Sequence, residues 1–560
     1  MYIRCDLSDM DNKSVKLGKF IIVIALLLFG GFYDWNIALI GCMVCLYAIT
    51  IYCRRRNVYK KEYKFPFCIP EIIIIFQILV SFWSIDRSAN LSGIIRGIVI
   101  LLWMNICFQN DNHDKEKLLL MIPNMGEYMV ICGCLAFFFE RLKSFFWRAG
   151  RFGGFFQYAN TCALFLLLGV VVCCFEWEKE EKPGVKVCIY RAVKMIILVL
   201  GILLTGSRSV LMIFMFWGIL HSVRNKIFRR NFISITVSAG IALGGYYLLT
   251  GDGTQNISRI FTVIRSNSTL WGRLLYDIDG ISILTKHPMG LGYLGYYYVQ
   301  HMLQTGIYTV RFVHNDILQI GLDYGIIPMF LCVFYIGWQL IKGTQSRCKK
   351  EILSLILAAS LLDFHMQFIV IDFIVVLCVD LGNPVMRQKK QERMENSIMS
   401  GICMFAFTFC FISYLAAYMG KYEIALQFMP NNTEVLREVM SEADDKDTAS
   451  YYADRILHNN KYISEAYNVK VYVAAMENDL DLLIKNQDEV LKLEKYDIEQ
   501  YHSYDLLLNH LELQNMEGGK YENVEKIKQK RLDNKKRLDS LRETTNPIAY
   551  KLRDIPQYTW

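Results

Sequence analysis

The chain is organised around residues 310–316, with the sequence VRFVHND, which lie near the end of a polar segment spanning residues 251–325. Apolar runs of membrane-spanning length recur on both sides of this segment, from about Phe20 to Gly420. Because the hydrocarbon core of a membrane disfavours polar groups, we expect reactive side chains in this segment and in a few short loops. The pattern predicts a polytopic membrane body whose site faces one side of the membrane.

The overall composition is that of a membrane protein. Of the 560 residues, 54% are hydrophobic and 20% are charged, and the mean hydropathy is +0.26, so the chain is more apolar than an ordinary soluble domain. The 17 cysteines lie mostly in or beside apolar runs, as small buried hydrophobes do, and none lies in the central loop or the tail. The net charge of +8 comes from basic clusters beside apolar runs, so we expect no nucleic-acid partner.

The apolar runs predict an all-α polytopic protein with about 12 or 13 transmembrane helices, the first of which is interpreted as a span and not as a cleavable signal peptide. The predicted spans cover residues 20–34, 36–53, 68–84, 91–108, 119–139, 158–176, 190–206, 209–222, 232–250, 315–341, 351–382 and 398–419, with 351–382 counted as one span or as two short ones. The chain therefore divides into a membrane domain at 1–420, with a large loop at 251–313, and a soluble helical domain at 421–560.

Clusters of basic residues orient the predicted helices. They are found at residues 54–61, 224–230, 342–350 and 387–393. All of them fall on one parity of the span count, which the positive-inside rule places in the cytoplasm. We therefore expect a multi-pass protein of the cell (cytoplasmic) membrane with loop 251–313 outside, and the tail outside as well if 351–382 forms two spans. The predicted outer loop 140–157 departs from the rule by its own basic residues, which indicates an anionic ligand.

The polar tail contains an internal repeat. Five residues recur with a shift of 34 positions, from Leu457, Lys461, Tyr462, Glu465 and Tyr467 to Leu491, Lys495, Tyr496, Glu499 and Tyr501. This period is typical of tetratricopeptide (TPR) helix pairs, which stack into a concave surface suited to a protein partner. An irregular helical bundle without TPR geometry is the alternative interpretation.

Two arginines stand at predicted outer ends of apolar segments. Arg208 lies beside Ser207 in the turn TGSRS, residues 205–209, between two spans with almost no loop. Arg273 follows Trp271 and opens a segment with helical apolar spacing, which predicts an interfacial helix. An arginine within hydrocarbon costs about 2.5 to 3.5 kcal/mol on insertion scales, so such a side chain pairs with an anion or extends to the lipid headgroups. The residues alone leave both interpretations open.

A histidine and an asparagine mark two further junctions between a loop and a span. Imidazole suits proton abstraction near neutral pH, and the neighbouring Asn315 or Asp316 could hold the tautomer of His314. A capping or space-filling role is the alternative for His314. The segment from Arg151 to Asn160 carries glycines and an amide into a span, which fits a ligand site at a helix end or simple close packing.

Three other patterns carry little weight. The stretch GLGYLG at 290–295 matches a dinucleotide-binding motif, but no strand and crossover helix surround it. Asp277 and Asp279 form a DxD pattern that would have no nucleotide sugar to bind on the outer face. The nine histidines lack metal-ligand spacing, so no metal site is predicted.

The four loop elements, in their order, resemble the O-antigen ligase-like family of ligases, polymerases and related surface-polysaccharide proteins. The family segment R..G.f.npN is matched by residues 151–160, with Ala159 where proline is common, and a Ser-Arg turn is matched by residues 207–208. A tryptophan and arginine followed by an HPllGvG-like stretch are matched by residues 271–273 and 287–292. The motif HN.yLq...e.Gi is matched from His314 to Gly325. The resemblance covers about residues 20–420.

The resemblance implies transfer of a glycan from a polyprenyl-diphosphate-linked donor to a hydroxyl of an acceptor glycan, lipid or protein. The transfer would take place at the outer face of the cytoplasmic membrane. It assigns the diphosphate to Arg208 and Arg273, with Arg151 assisting, and the role of general base to His314. Ser207, Asn160, Asn315 and Asp316 would support these groups. Arginines provide charged bidentate donors to phosphate, so we expect no metal and no cofactor. Direct displacement predicts inversion at the anomeric carbon.

Two other functions remain open at this stage. A polymerase would use the same donor with a second lipid-linked glycan as acceptor, and the motifs do not separate it from a ligase. A non-enzymatic transporter or scaffold, with the repeat tail docking a partner, is the alternative from another class. Ionisable residues deep in many spans would favour a transporter. The main candidates for such residues are few: Arg96, Glu127, Asp363 and His365.

Overall fold

The computed structural model describes residues 2–558 except 56, 62, 180–183, 225, 251–267, 553 and 556–557. The first part of the predicted outer loop, 251–267, thus lies outside the described residues. The protein is 77% helical, and its described strands form only two short antiparallel pairs. The expected all-α polytopic class is confirmed at this level.

The first part of the membrane body is helical, and most of its helices are apolar. They are α1 (Tyr2–Leu27), α2 (Asp34–Arg54), α3 (Ile69–Val80), α4 (Arg87–Gln109), α5 (Asn112–Leu119), α6 (Met121–Ala136), α7 (Glu140–Phe146), α8 (Ala159–Glu178), α9 (Val185–Thr205), α10 (Arg208–Arg224) and α11 (Lys226–Thr250). Helix α8 lies at the centre, and 89% of its most apolar 18-residue stretch is buried. Strands β2 (Trp147–Arg148) and β3 (Arg151–Phe152) form a hairpin just before it.

Six helical segments of the described chain are long and apolar enough to cross a membrane, and each has at least 20 residues. They are Asp34–Arg54, Arg87–Gln109, Asn112–Ala136, Ala159–Glu178, Val185–Thr205 and Lys390–Tyr418. Shorter apolar helices occupy Ile69–Val80, Arg208–Val223, Asn231–Tyr246, Ile326–Lys342 and Ile369–Cys378. The predicted runs are thus mostly helical, but several are too short to cross a bilayer unless the bilayer is locally thinner.

The polar segment and the two predicted spans that follow it are divided into short helices. They are α12 (Ser268–Lys286), α13 (Gly295–Leu303), α14 (Asp316–Tyr324), α15 (Ile326–Lys342), α16 (Arg347–Ser360) and α17 (Ile369–Cys378). The prediction of a single helical span at 315–341 was wrong. The helix is interrupted at Gly325, which has a φ of +102° and lies between the end of α14 and the start of α15.

The run 351–382 forms a hairpin of two short helices. Its base is fixed where the hydroxyl of Thr344 donates to Asp380 at 2.6 Å, and its tip lies at residues 361–368. Beyond the base, β4 (Pro384–Arg387) pairs with β1 (Tyr59–Lys61), so two of the basic clusters meet on one face of the body. The tip points to the opposite face.

The next helix, α18 (Lys390–Tyr418), starts beside that basic face, where the guanidinium of Arg393 donates to the carbonyl of Tyr52 at 2.8 Å. It packs along α2 and ends at the face that carries the hairpin tip. The tail therefore emerges on the same side of the body as His314.

The tail is helical throughout its described length. Its helices are α19 (Tyr422–Phe428), α20 (Thr433–Ser441), α21 (Lys446–Asn459), α22 (Ser464–Met476), α23 (Leu480–Leu493), α24 (Ile498–Glu517) and α25 (Tyr521–Thr544), followed by a 3₁₀ turn at Pro547–Lys551. Helices α21 and α22 begin 34 positions before α23 and α24, at 446 and 464 against 480 and 498. The sequence repeat thus corresponds to a repeated helix pair, and its assignment as TPR stays a prediction.

The tail docks on the polar segment of its own chain. The imidazole of His301 lies 3.0 Å from the carboxylate of Glu494. Outside that segment, the amide of Asn460 donates to Asp86, just before α4, at 3.0 Å. Near the C-terminus, the buried side chain of Ala549 packs against Leu275 of α12. The tail thereby covers part of the segment that carries the predicted site residues.

Candidate active site

The candidate site is built around the carboxylate of Asp363 at the tip of the α16–α17 hairpin. This side chain is fully buried. Its Oδ1 atom lies 2.8 Å from Nδ1 of His314 and accepts from the Tyr158 hydroxyl at 2.8 Å. Its Oδ2 atom accepts from Arg273 at 3.0 Å and from the amide of Asn160. One carboxylate thus joins three separate parts of the chain.

Asp363 stays ionised in this setting. Burial acts to raise the pKa of its carboxyl group, but the hydrogen bond from His314 and the positive charge of Arg273 oppose burial, and the pKa stays below its usual range. His365 itself is buried, and burial lowers its pKa to about 4. Its ring lies 3.0 Å from the hydroxyl of Thr161, so it acts as a neutral neighbour that fixes the hairpin tip on α8.

His314 is oriented by its two neighbours in space. Its ring lies between Phe364 and Tyr276, with centroids at 5.1 and 5.8 Å. With Nδ1 held by Asp363, Nε2 makes no hydrogen bond to any residue that the structure describes. The predicted partners for the tautomer, Asn315 and Asp316, do not contact the ring in this way, so that detail was wrong.

Asn315 and Asp316 instead shape the loop around His314. The Asn315 side chain caps α14 by accepting from the Leu318 amide at 3.2 Å, a common role for asparagine at a helix start. The Asp316 carboxylate accepts from the Met366 amide at 3.1 Å and so connects α14 to the hairpin tip. Both residues support the position of His314 without lying against its reactive nitrogen.

A cavity of about 260 Å³ opens beside His314. Its lining consists of Arg208, Ser209, Met212, Thr269, Leu270, Arg273, Leu274, Asp277, His314, Leu361 and Leu362. The two arginines come from the N-terminus of α10 and from α12, and apolar residues form much of the rest. Among the described residues, Arg208 makes one long contact, 3.5 Å to the Thr269 hydroxyl, so most of its donors have no partner in that part of the chain. The N-terminus of α10 adds partial positive charge on the same side.

Asp277 is the acidic group of the cavity. Burial raises the pKa of its carboxyl group to about 6, and a hydrogen bond from Asn315 together with the charges of His314 and Arg273 opposes that rise. The second member of the DxD pattern, Asp279, points elsewhere: it accepts from the backbone and hydroxyl of Thr305 and from Tyr308. The two aspartates therefore do not share one ligand.

Arg151 does not line the cavity and is connected to Asp363 through Asn160. Its guanidinium donates to the Thr205 carbonyl at 2.8 Å and to the Asn160 side chain at 2.7 Å. Asn160 in turn donates to Asp363, so Arg151 braces the carboxylate through an amide. Ser207, in the turn after α9, is buried, and its hydroxyl lacks a hydrogen-bond partner among the described residues.

The patterns given little weight have structural roles. In the glycine-rich stretch, the Gly292 amide donates to the Asp323 carbonyl at 2.9 Å, which seats the turn against the end of α14. In the part of the chain that the structure describes, only Asp111, His113 and Asp114 are close enough to one another to hold a metal ion. They lie at the start of α5, and none of the site residues is among them.

Sequence reasoning did not place two of the central residues. Asp363 entered only as an ionisable group inside an apolar run, and Tyr158 was passed over although it lies in the segment that ends at Asn160. The available signal was the polar pair Asp363 and His365 within LLDFHM, residues 361–366, since a charge in such a run needs a partner.

Comparison with known protein families gives a match over residues 193–333 to the family described as O-antigen ligase. This range includes Arg208, Arg273 and His314 and excludes Arg151, Asn160 and Asp363. Comparison with curated proteins and with solved structures gives no match. The resemblance drawn from the short motifs is confirmed over this range: residues 193–333 match the O-antigen ligase family.

Proposed function

We propose that this protein transfers a glycan from a polyprenyl-diphosphate donor to an acceptor hydroxyl at the outer face of the cytoplasmic membrane. The observation that carries the proposal is the His314–Asp363 pair, which lies beside a cavity with two arginines. The family match supports the same general activity in polysaccharide assembly. The basic clusters on the opposite face of the body support the orientation.

The cavity suits the lipid diphosphate. Arg208 and Arg273 face it from two helices, and a guanidinium holds a phosphate through paired, charged hydrogen bonds. Leucine and methionine side chains line the remaining wall, which suits the first carbons of a polyprenyl chain. Charge that develops on the leaving diphosphate would be stabilised by groups already in place.

His314 is the proposed general base. Asp363 accepts from Nδ1, so Nε2 carries the lone pair that takes the proton of the acceptor hydroxyl. The acceptor oxygen then forms a bond to the anomeric carbon as the bond from that carbon to the diphosphate oxygen breaks. The polyprenyl diphosphate leaves with the electron pair, and the proton on His314 passes to solvent. One displacement inverts the anomeric configuration, and no step calls on a metal.

The remaining predicted residues position this pair. Arg151 and Asn160 brace Asp363, while Asn315 and Asp316 hold the loop of His314 against the hairpin tip. We therefore place Arg151 behind the site and not on the phosphates. The TPR-like tail remains a candidate surface for a protein partner of the assembly machinery, on the part that its own membrane body leaves uncovered.

The decisive experiment measures polyprenyl-linked glycans in a strain that lacks this protein, complemented with wild type or with His314→Ala. A ligase predicts long glycans accumulating on the lipid, and a polymerase predicts single repeat units. In both cases the accumulation persists with His314→Ala and disappears with wild type. An unchanged lipid-linked pool would contradict glycan transfer and favour a transporter or scaffold.

A further inference from the structure

A second cleft lies on the same face of the protein, between the membrane body and the start of the tail. Its volume is about 380 Å³, within the range of small-ligand sites. Among the residues that line it are Tyr33, Asp34, Trp35, Arg311, Tyr418 and Glu434. Neither the family match nor the proposed displacement accounts for this cleft.

Aromatic rings form one wall of the cleft. Tyr418 at the end of α18 is 59% exposed, although it belongs to a cluster of rings. Its ring centroid lies 5.5 Å from that of Trp35 and 6.0 Å from that of Tyr33. The indole Nε1 of Trp35 is buried and makes no hydrogen bond to the described residues. The wall thus offers flat apolar faces to an occupant of the cleft.

Charged and polar groups form the other wall. Asp34 accepts from Ser92 at 3.1 Å, and Glu434 accepts from the hydroxyl of Tyr298 at 2.9 Å. The guanidinium of Arg311 lies 5.9 Å from the centre of the Phe312 ring and interacts electrostatically with Asp34 and Glu434. These groups present both acceptors and donors to an occupant of the cleft.

This combination fits a sugar better than a lipid or a phosphate. A pyranose has C–H faces that stack on aromatic rings and a rim of hydroxyls that bond to carboxylates and guanidinium groups. The lining carries three carboxylates, from Asp34, Glu434 and Glu438, and one cation, Arg311. Arg437 also pairs with Glu434 at 3.2 Å, but negative charges still outnumber positive ones, which disfavours an anionic ligand. The many polar groups argue equally against an acyl chain.

The cleft is close to the candidate active site but separated from it. Phe312 lines the cleft, and its ring lies 5.6 Å from that of Phe364, which in turn lies 5.1 Å from the ring of His314. The cleft is therefore on the other side of an aromatic wall from the reactive histidine. A glycan whose terminal sugar is at His314 could place another of its sugars here by passing around this wall.

We propose that this cleft is a saccharide-binding subsite, formed jointly by the body and the tail, for neutral or amino sugars of the glycans that the protein handles. The proposal rests on the proposed function for its ligand class. It explains why rings and polar groups from α2, α18 and α20 converge at the point where the tail begins.

The test uses full-length protein in detergent and a lipid-free probe. The probe is an oligosaccharide of two repeat units, released by mild acid from the lipid-linked glycan of the same cells, and its binding is followed by saturation-transfer NMR and calorimetry. Tyr418→Ala is expected to weaken binding by about tenfold, since one stacking face is lost. Tyr418→Trp should bind like wild type. Tyr521→Ala, which alters a 74% exposed tyrosine elsewhere on the tail, is the matched control.

Transfer kinetics then distinguish the source of the sugar. If the acceptor glycan occupies the cleft, Tyr418→Ala raises KM for the acceptor about tenfold and leaves that for the donor unchanged. The reverse change assigns the cleft to the donor glycan. Both results support a saccharide subsite. Equal probe affinity and equal KM values for wild type and Tyr418→Ala overturn it.

The two proposals fail in different ways. His314→Ala should bind the oligosaccharide like wild type while transferring nothing. If wild type transfers glycan but shows no saturable binding of the probe, the subsite is wrong and the proposed function stands. If the probe binds and Tyr418→Ala weakens it, while the lipid-linked pool in the deletion strain is unchanged, the proposed function is wrong and the saccharide site stands.

Discussion

Nδ1 of His314 lies 2.8 Å from a carboxylate oxygen of Asp363, a residue 49 positions later in the chain. The same carboxylate accepts from Arg273, so the proposed base and one proposed phosphate ligand share an anchor. This arrangement makes Asp363 the residue on which the geometry of the site most depends, because both side chains are only partly buried while Asp363 is fully buried.

Asp363→Asn should lower the turnover of glycan transfer by about 10² or more while the protein still accumulates in the membrane. The amide keeps the shape but no longer holds the Nδ1–H tautomer of His314. The measurement is the transfer rate of purified protein with lipid-linked donor. Asp380→Asn, at the base of the same hairpin, serves as the control and should leave turnover unchanged. Turnover of Asp363→Asn within about twofold of wild type would contradict the role of Asp363.

Arg208→Ala should weaken donor binding without destabilising the protein. Arg208 lines the cavity, and among the described residues its one hydrogen-bond contact is the 3.5 Å contact to Thr269, so little of the described structure depends on it. We expect KM for the donor to rise about tenfold or more, and Arg208→Lys to restore part of the loss because it keeps the charge without the fork. Arg537→Ala, on the tail, is the control. An unchanged donor KM in Arg208→Ala would remove Arg208 from the diphosphate site.

The membrane class and three of the site residues could be predicted because each has a local signal. Long apolar runs predict membrane helices. Arg208, Arg273 and His314 occur in short motifs at the ends of such runs. The structure brings these three residues to one cavity. The helix-pair period of 34 in the tail is local in the same sense, since it repeats along the chain.

Other features depend on contacts that no local pattern encodes. Asp363 and His314 are partners only because the α16–α17 hairpin brings its tip to the loop before α14. The break at Gly325 was missed because a long apolar run follows this glycine, and its positive φ is visible only in the backbone. The docking of Ala549 on Leu275 joins the end of the tail to α12, and composition does not reveal which surfaces fit.

Donor binding should strengthen as the pH falls through about 6. Burial raises the pKa of Asp277 to about 6, so its negative charge, which faces the same cavity as the arginines, is present above that pH and lost below it. Because this folded-state pKa lies above that of an unfolded aspartate, the group also favours the folded state at low pH and loses that contribution as the pH rises through about 6. Equilibrium donor binding at about pH 5 and about pH 8 measures the effect.

Asp277→Asn provides the comparison for this pH dependence. It should bind donor at about pH 8 as wild type does at about pH 5, since the amide is neutral throughout. The diphosphate diester stays ionised over the whole range and adds no slope of its own. An equal pH dependence in wild type and Asp277→Asn would show that another group is responsible.

Ala549→Asp should loosen the helix that carries Arg273. Ala549 is fully buried against Leu275 and Tyr308, and the neighbouring Lys551 lies 4.0 Å from the ring centre of Trp271 on the same helix, α12. A carboxylate has no partner in that apolar contact, so the end of the tail should detach at a cost of about 1 to 3 kcal/mol. We expect α12 to become sensitive to protease and KM for the donor to rise, although Ala549 lies outside the cavity. Ile555→Asp, at a half-exposed position nearby, should change neither property. If Ala549→Asp keeps wild-type protease resistance and donor KM, the tail does not hold α12 in place, and its contribution must be sought on its outer surface.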